Sequence, residues 1–561
     1  MKELFARLLS RPFLFVEMLA ASLLANILAL AMPLFVTQVL NRYIAQGVDA
    51  TLATLSAGAV IAIVFEFAFR QVRFRMAANI SSTFDRAAAV GVFDTLSTIK
   101  AEAFDRLSPG LRQELISGAD KLQVAYSPAN ITALMDVPFA FLYIAVLFVI
   151  NPVIAWVAGI FIGITFLLSL LTLLSLRAPT QGLQQSTIQR AEQIGAIAQA
   201  SDAVRVFNAG RYARRKWRGT VEAMQELQKK LASRQGLSQS ISQSAQALLG
   251  VSIIATGAVL VVQGQLDVGA MIGANILASR ALGPIVRLAA LSEPMAKASQ
   301  AIKLFGELSK VPREREQGTA LKNYHGEIEF QDLAFGYMGS KAPLFESINL
   351  KLEPGTVLVF TGSNGSGKTT MARLLAGLIE PSRGKLLVDG VDLVQIAPEW
   401  WRKQISYMHQ EPKFLTASIS DNLKTNNPEI SDDALTDIIK SSELSQFIDQ
   451  SADGLDTVMG RNGGDLSLGI RRRMALARAL VTDGKVLIVD EPTEGLDTEG
   501  RNAVVTVMNK IARSGRTVIA FSTDPDIIKA APNIVDLDVK PVPQLVRKKS
   551  GKELGDKGDD E

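Results

Sequence analysis

Cysteine is absent from this chain of 561 residues, which removes disulfides, thiolate nucleophiles and cysteine-based metal sites together. Histidine is scarce, and His325 and His409 alone give no basis for a histidine metal site. A dominant charge is missing too. The 59 Lys and Arg against 55 Asp and Glu leave a formal net charge of +4, so the overall balance lends no support to nucleic-acid binding and no nucleic-acid partner is expected. What the chain does have is apolar residues, 48% of the total, too many for a purely soluble protein of this size. A membrane part is implied. Composition changes near residue 300, with the apolar runs before it and polar, motif-bearing sequence after it, so more than one domain is expected.

About 20 apolar residues cross a bilayer, and six segments qualify: residues 13–40, 52–70, 136–151, 153–176, 246–263 and 268–290. The first follows Lys2, Arg7 and Arg11 as a signal peptide would. The run from Phe13 to Leu40 is too long for a signal sequence and lacks a small-residue cleavage pattern, so it reads as a retained helix, preceded by a short amphipathic interfacial helix over residues 1–12. Short links, marked by Asn151-Pro152 and Gly264-Gln265-Leu266-Asp267, alternate with two links of roughly sixty residues or more. The long links carry the positive charge, Arg70, Arg73, Arg75, Arg86 and Lys100 in one and Arg205, Arg211, Arg214, Arg215, Lys216 and Arg218 in the other. Positive residues mark the cytoplasmic side, which places both long links and both termini in the cytoplasm. Their apolar spacing, as at Val204, Phe207, Tyr212 and Trp217, is helical. Thirty helical residues reach about 45 Å, so the membrane helices should continue well beyond the bilayer, with tips near Ser108-Pro109-Gly110 and Asn208-Ala209-Gly210. Within the spans, Arg280 suits either a water-filled cavity or snorkelling to the interface, and Glu66 and Arg70 are spaced to pair along one helix face.

The last third opens on a strand, Val357 to Thr361, followed by Gly362, Ser363, Asn364, Gly365, Ser366, Gly367, Lys368, Thr369 and Thr370. This is a P-loop. Its glycines let successive backbone N–H groups turn toward the phosphates of a nucleoside triphosphate, Lys368 adds a positive charge, and the Thr369 hydroxyl is placed for Mg²⁺. Downstream, Val486 to Val489 reads as a buried strand ending in two carboxylates: Asp490, expected to hold Mg²⁺ through water, and Glu491, expected to polarise the attacking water as general base. Gln410 offers a further metal and water ligand on the loop after Tyr407-Met408. Tyr337 is placed to stack on adenine, against the plainer role of a strand aromatic in the core. Leu496-Asp497 stands at the spacing of a loop that contacts a second subunit.

These motifs together resemble an ABC exporter half-transporter: an α-helical six-span transmembrane domain fused to an α/β P-loop NTPase (ABC) domain. The expected division is the interfacial helix at 1–12, the membrane domain at 13–299, a linker at 300–325, the nucleotide domain at 326–546 and a disordered charged tail at 547–561. Within the superfamily, Ala29-Leu30-Ala31-Met32-Pro33-Leu34-Phe35, Asp136-Val137-Pro138-Phe139 and Ile276 to Pro284 resemble the ABC proteins of bacterial type I secretion systems. That resemblance implies ATP and Mg²⁺ as ligands and a dimer of two half-transporters, homomeric or heteromeric, in the lipid bilayer of the inner membrane. It also implies a polypeptide substrate, a periplasmic adaptor and an outer-membrane channel. Relatives with a peptidase-like domain ahead of the first span differ from this chain, in which no such domain and no leader cleavage are expected.

The chain departs from its family in two places. In the superfamily a Leu-Ser-Gly-Gly-Gln signature completes the ATP site of the partner subunit; here the string is Leu466-Ser467-Leu468-Gly469-Ile470. Ser467 and Gly469 retain the expected contact in trans, whereas Leu468 adds apolar bulk and Ile470 removes a polar group. The histidine expected after the strand Thr517 to Ser522 is Thr523. Slow hydrolysis or an asymmetric heterodimer follows as the expectation. A non-catalytic, ATP-binding partner subunit and an exporter of a lipid or small molecule are the alternatives.

Overall fold

The structure, a computed structural model, describes residues 2–44, 47, 49–337, 339–340 and 342–547. Of the tail expected at 547–561, residues 548–561 lie outside the described residues. The chain divides into two compact units, one of residues 1–99 and 103–312 and the other of residues 313–561 together with residues 100–102.

Among the described residues, the first unit holds six helices long and apolar enough to cross a membrane: Pro12–Ile44, Asp49–Thr98, Pro128–Ile150, Pro152–Gln199, Gly210–Val262 and Val268–Ala290. Three of them far exceed a bilayer. The 50 residues of Asp49–Thr98 make a rod of about 75 Å against a hydrocarbon core of about 30 Å. The short links follow from local chemistry. Asn151 caps the fourth span by accepting bonds from Val153 N at 2.9 Å and Ile154 N at 3.4 Å, and Pro152 supplies a fixed φ at the first helical position. After Val262, Gly264 takes φ +70° and lets Gln265 N reach back to Leu260 O at 2.9 Å, which ends the helix. The tips of the long links are short helices, Ala101–Arg106 and Ser201–Val206, and Ser108 caps the helix Pro109–Ala125. Leu147, Ile154, Ala158, Leu249, Ile253, Leu277 and Ala281 form the apolar centre of the later spans. Val60, Ile61, Val64, Phe65 and Phe67 of the second span stay exposed, as suits lipid.

Buried charge in this unit is paired. Arg73 forks onto both oxygens of Asp136, with Nη2 to Oδ2 at 3.3 Å, and Asn26 donates to Asp136 at 3.3 Å while accepting from the Tyr143 hydroxyl at 2.9 Å. Glu66 meets Arg70 at 2.5 Å, the expected pairing, and Arg280 approaches the same carboxylate at 3.8 Å. The N-terminal helix Lys2–Leu9 is docked on one face: Arg7 is buried against Asp85 at 3.0 Å, under the rings of Phe84 and Tyr126.

Two sheets build the second unit. Strands β1 (Ile328–Phe335), β2 (Phe345–Leu352), β4 (Arg383–Val388) and β5 (Val391–Asp392) form an antiparallel sheet in the order β2-β1-β4-β5. Strands β3 (Val357–Thr361), β6 (Ile405–Met408), β7 (Val486–Asp490), β8 (Thr517–Phe521), β9 (Asn533–Asp536) and β10 (Gln544–Arg547) form the other, in the order β10-β9-β3-β8-β7-β6. It is parallel apart from its β9–β10 edge, and β7 and β8 are buried throughout, as two-sided cover requires. Phe360 and Phe521 stack across β3 and β8 at 4.9 Å.

Two expected boundaries shift. The segment 300–325 is not all linker, because the helix Ser292–Leu308 carries apolar Ala301 and Leu308 into the core and continues through its first part. Arg547, expected to open the tail, pairs with Asn533 in β10.

Candidate nucleotide site

The parallel sheet brings the ends of β3 and β7 side by side with β8 between them, and the candidate residues leave those strand ends. Gly362 and Gly367 have φ of +147° and +113°, and a Cβ on Gly367 would lie 2.8 Å from the Leu344 side chain, so the turn admits no larger residue there. Lys368 opens the helix Lys368–Leu375, and its ammonium donates to Gly362 O at 2.6 Å and Ser363 O at 3.2 Å. It also faces Glu491 Oε1 at 3.3 Å. Asn364, Gly365 and Ser366 complete the loop, and the buried Ser366 Oγ has no partner.

Glu491 leaves β7 with φ +47°, a costly conformation for this residue type. Its amide donates to Phe521 O at 2.8 Å, and its carbonyl accepts from Arg472 at 3.3 Å. The carboxylate accepts from Thr523 N at 3.2 Å and Thr523 Oγ1 at 3.4 Å, so the residue standing where a histidine was expected holds Glu491 directly. Both oxygens of Asp490 are buried without a hydrogen bond of good geometry, and burial, with the neighbouring Glu491 charge, pushes that carboxyl up to about 6 against the opposing pull of the nearby Thr369 hydroxyl and Lys368. Thr369 Oγ1 lies 3.2 Å from Gln410 Oε1. Three oxygen-bearing side chains with an orphaned carboxylate among them fit a hard cation such as Mg²⁺. His409, beside Gln410, is held neutral by burial, its pKa lowered to about 4.

Tyr337 is half-exposed, stands edge-on to Phe335 at 5.0 Å and bonds Thr370 Oγ1 through its hydroxyl at 2.8 Å. It lines a cavity of about 500 Å³ with Leu344, Lys540 and Pro541. Ser467 caps the helix Leu468–Val481 by accepting from Ile470 N at 3.3 Å, and Gly469 faces open space. Leu468 leans on Gly495, where a Cβ would come within 2.8 Å of it. Asp497 caps the helix Thr498–Arg513 through Gly500 N at 2.8 Å and takes both Nη2 contacts of Arg473, at 3.0 and 3.1 Å. The Gly500 amide and then Arg473 hold its carboxyl below the usual range.

Sequence reasoning missed four side chains here. Asp538 fixes the P-loop by accepting from Ser363 N at 2.8 Å and Ser363 Oγ at 2.7 Å, and Lys540 donates to Ser366 O at 2.9 Å. Arg472 and Glu494 meet at 2.9 Å beside Gln410.

Residues 15–285 match the model of the ABC transporter transmembrane region, and residues 345–494 match that of the ABC transporter. The chain is an ABC transporter. The alpha-hemolysin translocation ATP-binding protein HlyB of Escherichia coli is 27% identical over 541 residues, covering 94% of this transporter and 74% of the relative. The toxin RTX-I translocation ATP-binding protein of Actinobacillus pleuropneumoniae is 27% identical over 554 residues, with 96% and 76% covered. The leukotoxin translocation ATP-binding protein LktB of Mannheimia haemolytica is also 27% identical, over 538 residues, with 94% and 74% covered. A solved structure of a bacterial Atm1-family ABC exporter with ATP bound superposes with a TM-score of 0.84 at 18% identity, covering 96% of both chains, which gives the transporter an exporter fold. Six candidate spans and the matched membrane region make it a multi-pass membrane protein, and its nucleotide domain is of the ATP-binding, ATP-hydrolysing family.

Proposed function

We propose that this transporter is the ABC component of a type I secretion system, moving a polypeptide out of the cytoplasm across the bacterial inner membrane as a dimer, with the nucleotide domains and both termini cytoplasmic. The observation that carries the reading is similarity along nearly the whole chain to three toxin-translocation ATP-binding proteins. A periplasmic adaptor and an outer-membrane channel would complete the path. Lys368 and the P-loop amides bind the phosphates, Tyr337 takes the adenine, and Thr369, Gln410 and Asp490 hold the Mg²⁺ that neutralises phosphate charge. Glu491 orients the attacking water and takes its proton at a carboxylate oxygen. Ser467 and Gly469 of each subunit face the nucleotide of the other, and Asp497 lies on the loop that meets the partner.

One observation favours a second reading, an ATP-binding subunit that leaves turnover to a different partner: Leu468, Ile470 and Thr523 depart from the expected contacts to the γ-phosphate. The test is secretion. A strain carrying the transporter and a strain carrying Glu491→Gln are compared for proteins in the medium, alongside ATPase activity and native mass spectrometry of the purified protein. Loss of a secreted polypeptide, with ATP turnover by a homodimer falling about 10²- to 10⁴-fold, supports the proposal. An unchanged set of secreted proteins overturns it. Co-purification of a second ABC chain that alone sustains turnover favours the subunit reading.

A further inference from the structure

Arg472 lies in the second turn of the helix Leu468–Val481 and is 3% exposed. Its guanidinium reaches three places at once: Glu491 O at 3.3 Å, Gln410 O at 3.4 Å and Glu494 Oε2 at 2.9 Å. Glu494 Oε2 also accepts from Gln410 Nε2 at 3.3 Å. Gln410 is therefore gripped at its main chain by Arg472 and at its side-chain nitrogen by Glu494, which leaves its Oε1 directed at Thr369 Oγ1, 3.2 Å away. An amide side chain has two ends that can exchange by rotation, and only a fixed acceptor for the nitrogen keeps the oxygen toward a cation. Arg472 supplies the same service to Glu494, whose half-exposed carboxylate would otherwise swing freely. The bond to Glu491 O ties the arrangement to the positive-φ corner after β7.

We propose that Arg472 and Glu494 are positioning residues that hold Gln410 with its amide oxygen toward the metal side of the nucleotide site. The proposal rests on Gln410 being a ligand of nucleotide-bound Mg²⁺. It makes the helix after Ser467 part of the metal site of its own subunit, in addition to the contact expected across the dimer. Leu468 on Gly495 and Arg473 on Asp497 fasten the same helix to the loop that follows Glu491, so displacement of that helix would carry Glu494 with it.

The test uses the full-length protein in the Glu491→Gln background, which suppresses turnover, and measures ATP affinity by calorimetry in EDTA and over a series of Mg²⁺ concentrations. Glu494→Ala and Arg472→Gln should each raise the Mg²⁺ needed for half-maximal enhancement of ATP binding about tenfold, as loss of support for a metal ligand does. Affinity in EDTA should not change. Glu494→Gln, which keeps an acceptor for Gln410 Nε2, should restore most of the Mg²⁺ response. Gln410→Ala serves as the reference. If Gln410→Ala shifts the Mg²⁺ response and Glu494→Ala does not, the positioning role is overturned while the reading of Gln410 survives; if Gln410→Ala shifts nothing, both fall. An equal loss of ATP affinity in EDTA would assign Arg472 and Glu494 to general packing and overturn the proposal. Should Arg472→Gln fail to fold, the exposed Glu494 variants decide the matter alone.

Discussion

The two units treat a buried carboxylate in opposite ways. In the membrane unit, Asp136 is engaged at both oxygens by Arg73 and at one of them by Asn26. In the nucleotide unit, Asp490 is as deeply buried and neither oxygen makes a hydrogen bond of good geometry, with only the Thr369 hydroxyl nearby; among the described residues these are the only buried carboxylate oxygens left so. Hydrocarbon offers nothing to hydrogen-bond, so a charge that faces the spans must be neutralised by the chain itself. A site meant for a cation must instead keep its charge available. Burial of charge is thus a structural expense in one unit and a binding resource in the other.

The same substitution at the two positions should break the comparison open. Asp136→Asn leaves Arg73 buried beside a neutral amide and should cost about 3–5 kcal/mol of stability, read as a lower unfolding midpoint of the membrane unit with ATP binding intact. Asp490→Asn should go the other way. With its folded pKa raised to about 6, the carboxylate penalises the fold where it is ionised, so stability in EDTA is full below the ordinary value near 3.8 and is lost as pH rises through about 6. At pH 7 the substitution should therefore gain up to about 3 kcal/mol, and at pH 4 close to nothing, while Mg²⁺-dependent ATP binding collapses. An unchanged pH profile would mean that Asp490 has a partner in solution.

A smaller effect sharpens the catalytic side. Thr523→His combined with Leu468→Gly and Ile470→Gln should raise ATP turnover about tenfold, equivalent to about 1.4 kcal/mol of transition-state stabilisation. Equal turnover would show that Thr523, through its bonds to Glu491, already does what the expected histidine would. The smallest effect belongs to Glu66→Gln. Arg70 is half-exposed and Arg280 stands at 3.8 Å, so the unfolding midpoint should move by less than the equivalent of about 1 kcal/mol. A larger loss would place Glu66 with Asp136 among the structural carboxylates.

What the sequence discloses depends on how far apart in the chain the cooperating residues lie. The P-loop is legible because strand, turn and helix are contiguous from Val357 to Leu375, and the spans are legible because a long apolar run has few other uses. Asp490 and Glu491 follow once the P-loop is recognised, since a buried strand ending in two acids needs a reason. Asp538 and Lys540 could not be read this way. They reach the P-loop only because β9 pairs in parallel with β3, setting Asp536 against Thr361 across 175 residues of sequence between Ser363 and Asp538. The Arg73–Asp136 pair, 63 residues apart, is hidden for the same reason, since by sequence Arg73 is one more positive charge on a cytoplasmic link. Arg472 belongs to no motif, and its role follows only from its three acceptors, all of them on other elements of the fold. Local motifs identify a chemistry, and the sheet and helix crossings decide which side chains support it.

The helix Gly210–Val262 is 53 residues in one piece, about 80 Å long, and only part of it is apolar enough to sit in a bilayer. Such a rod, held at one end, is a long lever. A tilt of about 5° along that length displaces its far end by about 7 Å, more than one turn of helix, although its two ends share no side-chain contact. Mechanical gain of this kind needs no chain of intermediary contacts and no local rearrangement, only a backbone that does not bend.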